Sequence, residues 1–266
     1  MLQNGLQVQY LMWTEVFVQN KEYVLITGAS SGIGKQCAIQ LSEKYNLVLC
    51  ARREDKLLET KKLCKNSQNH LVFPLDLSNV DEVEEKLTFF IKEKNITIAK
   101  FLHSAGTIGM LPLKLVTSEF MMNCLKVNLV SANLIVKVLV NRRHNQAQLN
   151  NVVFISSNIS NMGAKAFSVY SSSKSGLDGM MRSLAMELAP QVRVNSVLPG
   201  GVKTEMTQAI YENSEKIEEI RKTYPLGLGE TKDLANAVEF LFSEKSSWIT
   251  GQQITVDGGR SINISG

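Results

Sequence analysis

Seven short apolar runs, separated by longer amphipathic stretches, constrain what this chain can fold into more than any other feature. The runs are residues 23–27, 47–50, 71–75, 101–103, 152–155, 192–198 and 254–256. Val, Ile, Leu and Phe dominate them without strict alternation, the pattern of strands buried on both faces and hence of a parallel sheet. Between them, residues 79–94 open with a cap at Ser78 and an acid at Asp81, and Val80, Val83, Leu87, Phe90 and Ile91 follow at helical spacing. Residues 168–189 carry Leu177, Met180, Met181, Leu184 and Leu188 on one stripe. Such alternation predicts the α/β class: a doubly wound, seven-stranded parallel sheet with helices on both faces. Ligands in such sheets bind beyond the carboxyl ends of the strands, so function is sought just after each strand.

The 266 residues suit one large core. With no repeat and no low-complexity linker, the reading is one domain over residues 21–266, behind an N-terminal extension of residues 1–20. The net charge of +4 is spread along the chain. Its densest basic spot, Arg142, Arg143 and His144 with Lys137 nearby, reads as a solvated helix end, and a nucleic-acid footprint would need a broader stripe. Cys37, Cys50, Cys64 and Cys124 form no C-x-x-C pair and no zinc spacing, so no metal site is expected. Reduced, buried thiols favour the cytoplasm. Residues 1–20 lack the basic start of a signal peptide, and no apolar run reaches the ~20 residues of a membrane span, so no membrane association is expected.

The first run leads directly into Thr27-Gly28-Ala29-Ser30-Ser31-Gly32-Ile33-Gly34. Glycines here permit a tight turn, close approach of a pyrophosphate to the backbone, and close helix–strand packing. The following helix would aim free N–H groups at the phosphates. No G-x-x-x-x-G-K-[ST] sequence is present, which argues against a nucleotide-triphosphate loop. Turn and alternation together predict a single-domain Rossmann fold.

The second run ends Cys50-Ala51-Arg52-Arg53. Where NAD-selective folds place an acid on the ribose 2′-hydroxyl, Ala51 stands here. Arg52 can pair bidentately with a 2′-phosphate, so NADP(H) is expected over NAD(H). Arg53 reads equally as a surface residue, and Glu54 and Asp55 lie close enough to weaken the positive field.

Tyr170 and Lys174 are four residues apart on a predicted helix, about 6 Å of rise, and share a face. A free tyrosine titrates near ~10. Bringing it to neutrality takes roughly 4 kcal/mol of phenolate stabilisation. A close ammonium would supply much of that, helped by the positive charge of an oxidised nicotinamide. In the reduction direction Tyr170 would give a proton to a carbonyl oxygen while hydride reaches carbon.

These features resemble the short-chain dehydrogenase/reductase family, over residues 23–260. The turn matches the family's T-G-x-x-x-G-I-G, and Tyr170 with Lys174 match its Y-x-x-x-K. The resemblance implies a catalytic serine at Ser157, 13 residues before Tyr170, with Ser156 competing. It implies a helix asparagine at Asn128 that holds a water between the lysine and solvent, and a lysine bonded to the nicotinamide ribose. Asp76 and Leu77 would meet the adenine. Pro199, Gly200, Val202 and Thr204 resemble the segment at the nicotinamide carboxamide, and Gly251 with Val256-Asp257-Gly258-Gly259 resembles the closing motif. The family's N-N-A-G is here His103-Ser104-Ala105-Gly106; the Gly106 end would still border the cofactor, and His103 reads as a buried structural residue.

The resemblance is nearest to 3-oxoacyl-(acyl-carrier-protein) reductases. It implies an NADP(H)-dependent oxidoreductase interconverting a carbonyl and a secondary alcohol, on a small-molecule or acyl-carrier-bound substrate. Alternatives are a nucleotide-sugar modifying enzyme, for which too few residues follow the last strand, and a non-catalytic dinucleotide sensor. Residues 205–224, with Met206, Ile210, Tyr211, Ile217 and Ile220, read as a substrate lid. By family analogy, the helices holding residues 117–143 and 168–189 would pair in a homodimer or homotetramer.

Overall fold

The computed structural model describes residues 22–207 and 214–262. Its strands are β1 (Glu22–Thr27), β2 (Asn46–Ala51), β3 (Leu71–Pro74), β4 (Thr97–His103), β5 (Asn151–Ile155), β6 (Arg193–Pro199) and β7 (Gln253–Val256). They form one parallel sheet in the order β3-β2-β1-β4-β5-β6-β7. The helices are α1 (Gly32–Leu41), α2 (Glu54–Leu63), α3 (Val80–Lys94), α4 (Ser118–Leu125), α5 (Ser131–Val140), α6 (Arg142–Asn145), α7 (Ser168–Glu187), α8 (Ser214–Lys222) and α9 (Thr231–Phe242). A π-helical turn, Lys126–Val130, joins α4 to α5.

Adjacent strand residues serve opposite cores, which is why the strands read as unbroken apolar runs. Leu25, Val48, Phe101 and Phe154 pack with Leu87 of α3, Ile135 and Leu139 of α5, and Leu177 and Met181 of α7. Their neighbours Val24, Leu47, Leu102 and Val153 pack with Leu41 of α1 and Leu234, Val238 and Leu241 of α9. Each such side chain contributes about 1.5–3 kcal/mol by leaving water. The chain crosses from the β3 edge back to β4, so the loops after β1 and β4 part at a topological switch point, where a crevice forms.

Three expectations change. Ser78 does not cap α3: its N–H and hydroxyl both bond Asp76, and Asn79 occupies the cap position. β4 begins at Thr97, four residues before the apolar run, because Lys100 interrupts the pattern; its ammonium leaves the sheet to bond Asn150 at 3.0 Å and lies over the Tyr45 ring. The helical stretch Ser118–Val140 is long and apolar enough to cross a membrane, contrary to the reading that no segment is. Its apolar character has a packing cause: Ala132, Ile135, Val136 and Leu139 are buried in the core. The basic cluster falls on a short helix, α6, with Arg142 and Arg143 exposed and His144 half-buried. All four cysteines are free and buried. Residues 1–20 and, within the expected lid, Ile210 and Tyr211 and the Met206 side chain lie outside what is described; Ile217 and Ile220 are half-buried on α8.

Candidate active site

The glycine-rich turn links β1 to α1, and two of its glycines are required by close approach. Gly28 has φ +70°, and a Cβ there would stand 2.7 Å from the Ala105 nitrogen in the loop after β4. A Cβ on Gly34 would stand 2.3 Å from the Gly28 carbonyl oxygen. Ser31 sits at the α1 amino end without a side-chain cap, leaving the N–H groups of the first turn for a ligand. A cleft of about 360 Å³ opens here, lined by Gly28, Ser30, Ser31, Gly32, Ile33 and Gly34. Arg52, Arg53, Asp76, Leu77, Ser104, Ala105, Gly106, Pro199, Gly200, Val202 and Thr204 line the same cleft, with Tyr170 and Lys174. The structure therefore gathers every position expected for the cofactor into one elongated site, and its bare backbone at the turn fits a pyrophosphate.

At one end, Ala51 closes β2 and Arg52 and Arg53 are exposed on the rim. Arg53 pairs with Glu205 at 3.4 Å, an exposed contact of small energy. The Asp76 carboxylate accepts from the Ser78 N–H at 2.9 Å and hydroxyl at 2.7 Å. Burial pushes the Asp76 carboxyl up, but the two Ser78 bonds and the Arg52 charge together hold it below its ordinary value.

At the other end, α7 lies across the end of β5. The Tyr170 and Ser157 side chains line the same cleft, Ser157 lowers the Tyr170 phenol, and its hydroxyl oxygen accepts from the Ile159 N–H at 3.3 Å. Lys174 is buried; its Nζ donates to the Ile155 carbonyl at 2.8 Å and stands 5.8 Å from the Tyr170 ring centre. Ser156 is distinguished from Ser157 by its partner: its hydroxyl donates to Asp178 at 2.8 Å.

Lys174 and Asn128 are placed differently from what the resemblance implies. Burial pushes the Tyr170 phenol up to about 12, opposed by Ser157 and reinforced by Cys124, and Lys174 does not contribute to that balance. The ammonium is turned to the Ile155 carbonyl, and burial lowers Lys174 itself to about 8 against the raising influence of Asp178 and Cys124. Nor does the Asn128 side chain line the cleft. It is fully buried, accepting from the Thr107 N–H at 2.8 Å and donating to the Thr107 carbonyl at 3.1 Å and the Ser173 hydroxyl at 2.9 Å. Its amide pins the loop after β4 to α7.

His103 is buried, as expected of a structural residue. The Thr27 hydroxyl oxygen accepts from the Ala105 N–H at 3.3 Å and lies 2.9 Å from His103 Nδ1. His103 Nε2 faces the Val127 and Asn128 carbonyls of the π-helical turn without closing a bond of standard geometry. Burial and then the Lys174 charge push His103 down to about 3, so the ring is neutral.

Thr107, Ile108, Asn123, Val127 and Thr207 also line the cleft and were not singled out from the sequence. Thr107 and Ile108 come from the loop after β4, Asn123 from α4, Val127 from the π-helical turn and Thr207 from a short 3-10 turn, and no motif singles them out; Val127 alone sat within a quoted motif.

The sheet order, the turn at the switch point and the Ser157–Tyr170–Lys174 cluster together define a nicotinamide-dependent oxidoreductase of CH–OH and carbonyl groups. Residues 28–261 match the sequence family described as enoyl-(acyl carrier protein) reductase. The 3-oxoacyl-(acyl-carrier-protein) reductase FabG of Buchnera aphidicola subsp. Schizaphis graminum is 34% identical over 245 residues, 90% of this chain and 97% of that protein. Among solved structures, 4-hydroxyisoleucine dehydrogenase complexed with NADH superposes with a TM-score of 0.83 at 25% identity, covering 91% of this chain and 99% of that one. A variant of actinorhodin polyketide ketoreductase with NADPH does so with a TM-score of 0.83 at 26% identity, covering 90% and 97%. The chain belongs to the short-chain dehydrogenase/reductase family.

Proposed function

We propose that this chain is an NADP(H)-preferring reductase of 3-oxoacyl or related carbonyl substrates, with Tyr170 as proton donor. The observation that carries the reading is the convergence of Ser157, Tyr170 and Lys174 in the cleft that begins at the glycine-rich turn. The bound dinucleotide supplies the hydride. The Ser157 hydroxyl orients the substrate carbonyl oxygen, and Tyr170 gives that oxygen a proton. With its phenol raised to about 12, Tyr170 is fully protonated at neutral pH, the state a donor needs. Lys174 exchanges the Ile155 carbonyl for the nicotinamide ribose and adds positive charge beside the phenol. Asn128 holds the loop after β4 to α7, and the family resemblance gives it a water linking Lys174 to solvent.

NADP(H) preference rests on Ala51 in the place of an acid and on Arg52 at the rim; Arg53 is already engaged by Glu205. An acyl-carrier-bound substrate is suggested by the name of the FabG relative. Exposed Met121 and Met122 on α4 and Met186 on α7 support pairing of chains through these helices, as a homodimer or homotetramer. Buried free thiols suit a reducing, cytoplasmic setting.

The test is a panel of carbonyl compounds, a 3-oxoacyl thioester among them, assayed with NADPH and with NADH. Faster turnover of the thioester with NADPH supports the proposal. Tight NADPH binding with no turnover across the panel would favour a dinucleotide sensor instead.

A further inference from the structure

Asp178 is the most deeply buried carboxylate among the described residues, and the reaction as derived makes no use of it. It lies one turn beyond Lys174 and two beyond Tyr170, so the three share a stripe of α7. The end of β5 answers that stripe: the Ile155 carbonyl accepts from Lys174 Nζ at 2.8 Å, and the Ser156 hydroxyl donates to Asp178 Oδ2 at 2.8 Å. The other carboxylate oxygen, Oδ1, is buried with no hydrogen-bond partner. An acid retained only for packing would have both oxygens satisfied or be apolar, because an unpaired buried polar atom costs about 1–3 kcal/mol. The compensation available is electrostatic: Lys174 is buried one turn away, and its hydrogen-bond acceptor is a neutral carbonyl.

The other titratable groups around Lys174 do not carry negative charge. From α7, Tyr170 is a neutral phenol. From α4, Cys124 has its thiol pushed up by burial and stays protonated. From β4, His103 is neutral. The π-helical turn presents only the uncharged amide of Asn128, and β5 only hydroxyls and the Ile155 carbonyl. Among the described residues facing the lysine, Asp178 is the only carboxyl group.

We propose that Asp178, seated by Ser156, is a positioning residue that supplies the counter-charge holding Lys174 protonated in its desolvated site. The proposal rests on the reading of Tyr170 and Lys174 as the proton-handling pair. It accounts for the presence of two adjacent serines after β5 with separate duties, one toward the substrate and one toward the carboxylate.

The experiment is an NMR titration of the Lys174 Nζ in the cofactor-free chain, wild type against Asp178→Asn, with Lys174→Arg to assign the signal. The amide keeps the Ser156 hydrogen bond and removes only the charge. The expected result is a midpoint lower by about one pH unit or more in Asp178→Asn, and an equal acidward move of the alkaline limb of kcat/KM. An unchanged midpoint in a folded Asp178→Asn chain overturns the proposal. Should that variant fail to fold, the wild-type Asp178 carboxyl carbon decides: a carboxylate shift at pH 7 supports the proposal, and a protonated carboxyl overturns it. Because the titration needs no turnover, a wrong assignment of Tyr170 would show separately, as activity that survives Tyr170→Phe.

Discussion

Arg52 and His103 show how neighbours decide what a side chain can do. Arg52 sits where the second strand leaves the sheet, near Asp76 and free of the Glu205 contact that holds Arg53. Arg52→Ala is expected to weaken NADPH ten- to a hundredfold while leaving NADH nearly unchanged, since a charge-assisted bond contributes about 1.5–3 kcal/mol. Equal losses for both, measured by fluorescence titration, would contradict the NADP(H) preference. His103 has its folded value depressed to about 3 by burial, against an ordinary value near 6.5. Between those limits the unfolded chain binds the proton and the folded chain does not, so stability falls as pH drops from 6.5 toward 3, by up to about 1.4 kcal/mol per pH unit. His70, also lowered chiefly by burial, adds in the same direction. Urea denaturation from pH 7 to pH 4 should show this slope, and His103→Asn should flatten it. At this scale the residue types of the site were legible in the sequence, because Tyr170, Lys174 and Ser157 keep fixed spacings. Their resting electrostatics were not, because the direction Lys174 takes depends on the Ile155 carbonyl, an atom every sequence has.

The elements that most shape the site are the glycine-rich turn and the π-helical turn, and they differ in how far the sequence reveals them. Glycine at positions 28 and 34 marks a close approach that any side chain would block, so the turn was readable. Nothing in Lys126-Val127-Asn128-Leu129-Val130 marks a π-helical turn, and the bonds its Asn128 amide makes lie far off in sequence, at Thr107 and Ser173. Such turns recur at functional sites. Asn128→Ala removes four hydrogen bonds and leaves the Thr107 N–H without its side-chain acceptor. It is expected to cost about 2–3 kcal/mol in denaturant and to lower kcat more than it raises KM. Unchanged stability would mean that the amide does not anchor the loop. The same distinction explains the start of β4, where one lysine hid four strand residues that pair with β1 through a register shift at Ala99.

For the whole molecule, covering the sheet on both faces made the architecture legible, since adjacent strand residues must both be apolar when two cores flank one sheet. Strand order then places the crevice at the switch between β1 and β4, and every expected cofactor residue lies there. Substrate identity was not legible in the same way, because the segment expected to cover the cleft has a sparse apolar pattern with no spacing rule. The account stands on Tyr170 as the proton donor in that cleft. Its most direct test is single-turnover NADPH oxidation with a reducible carbonyl, comparing wild type with Tyr170→Phe. The account predicts unchanged NADPH binding and a rate lower by about 10²–10⁴; a rate within threefold of wild type would contradict it.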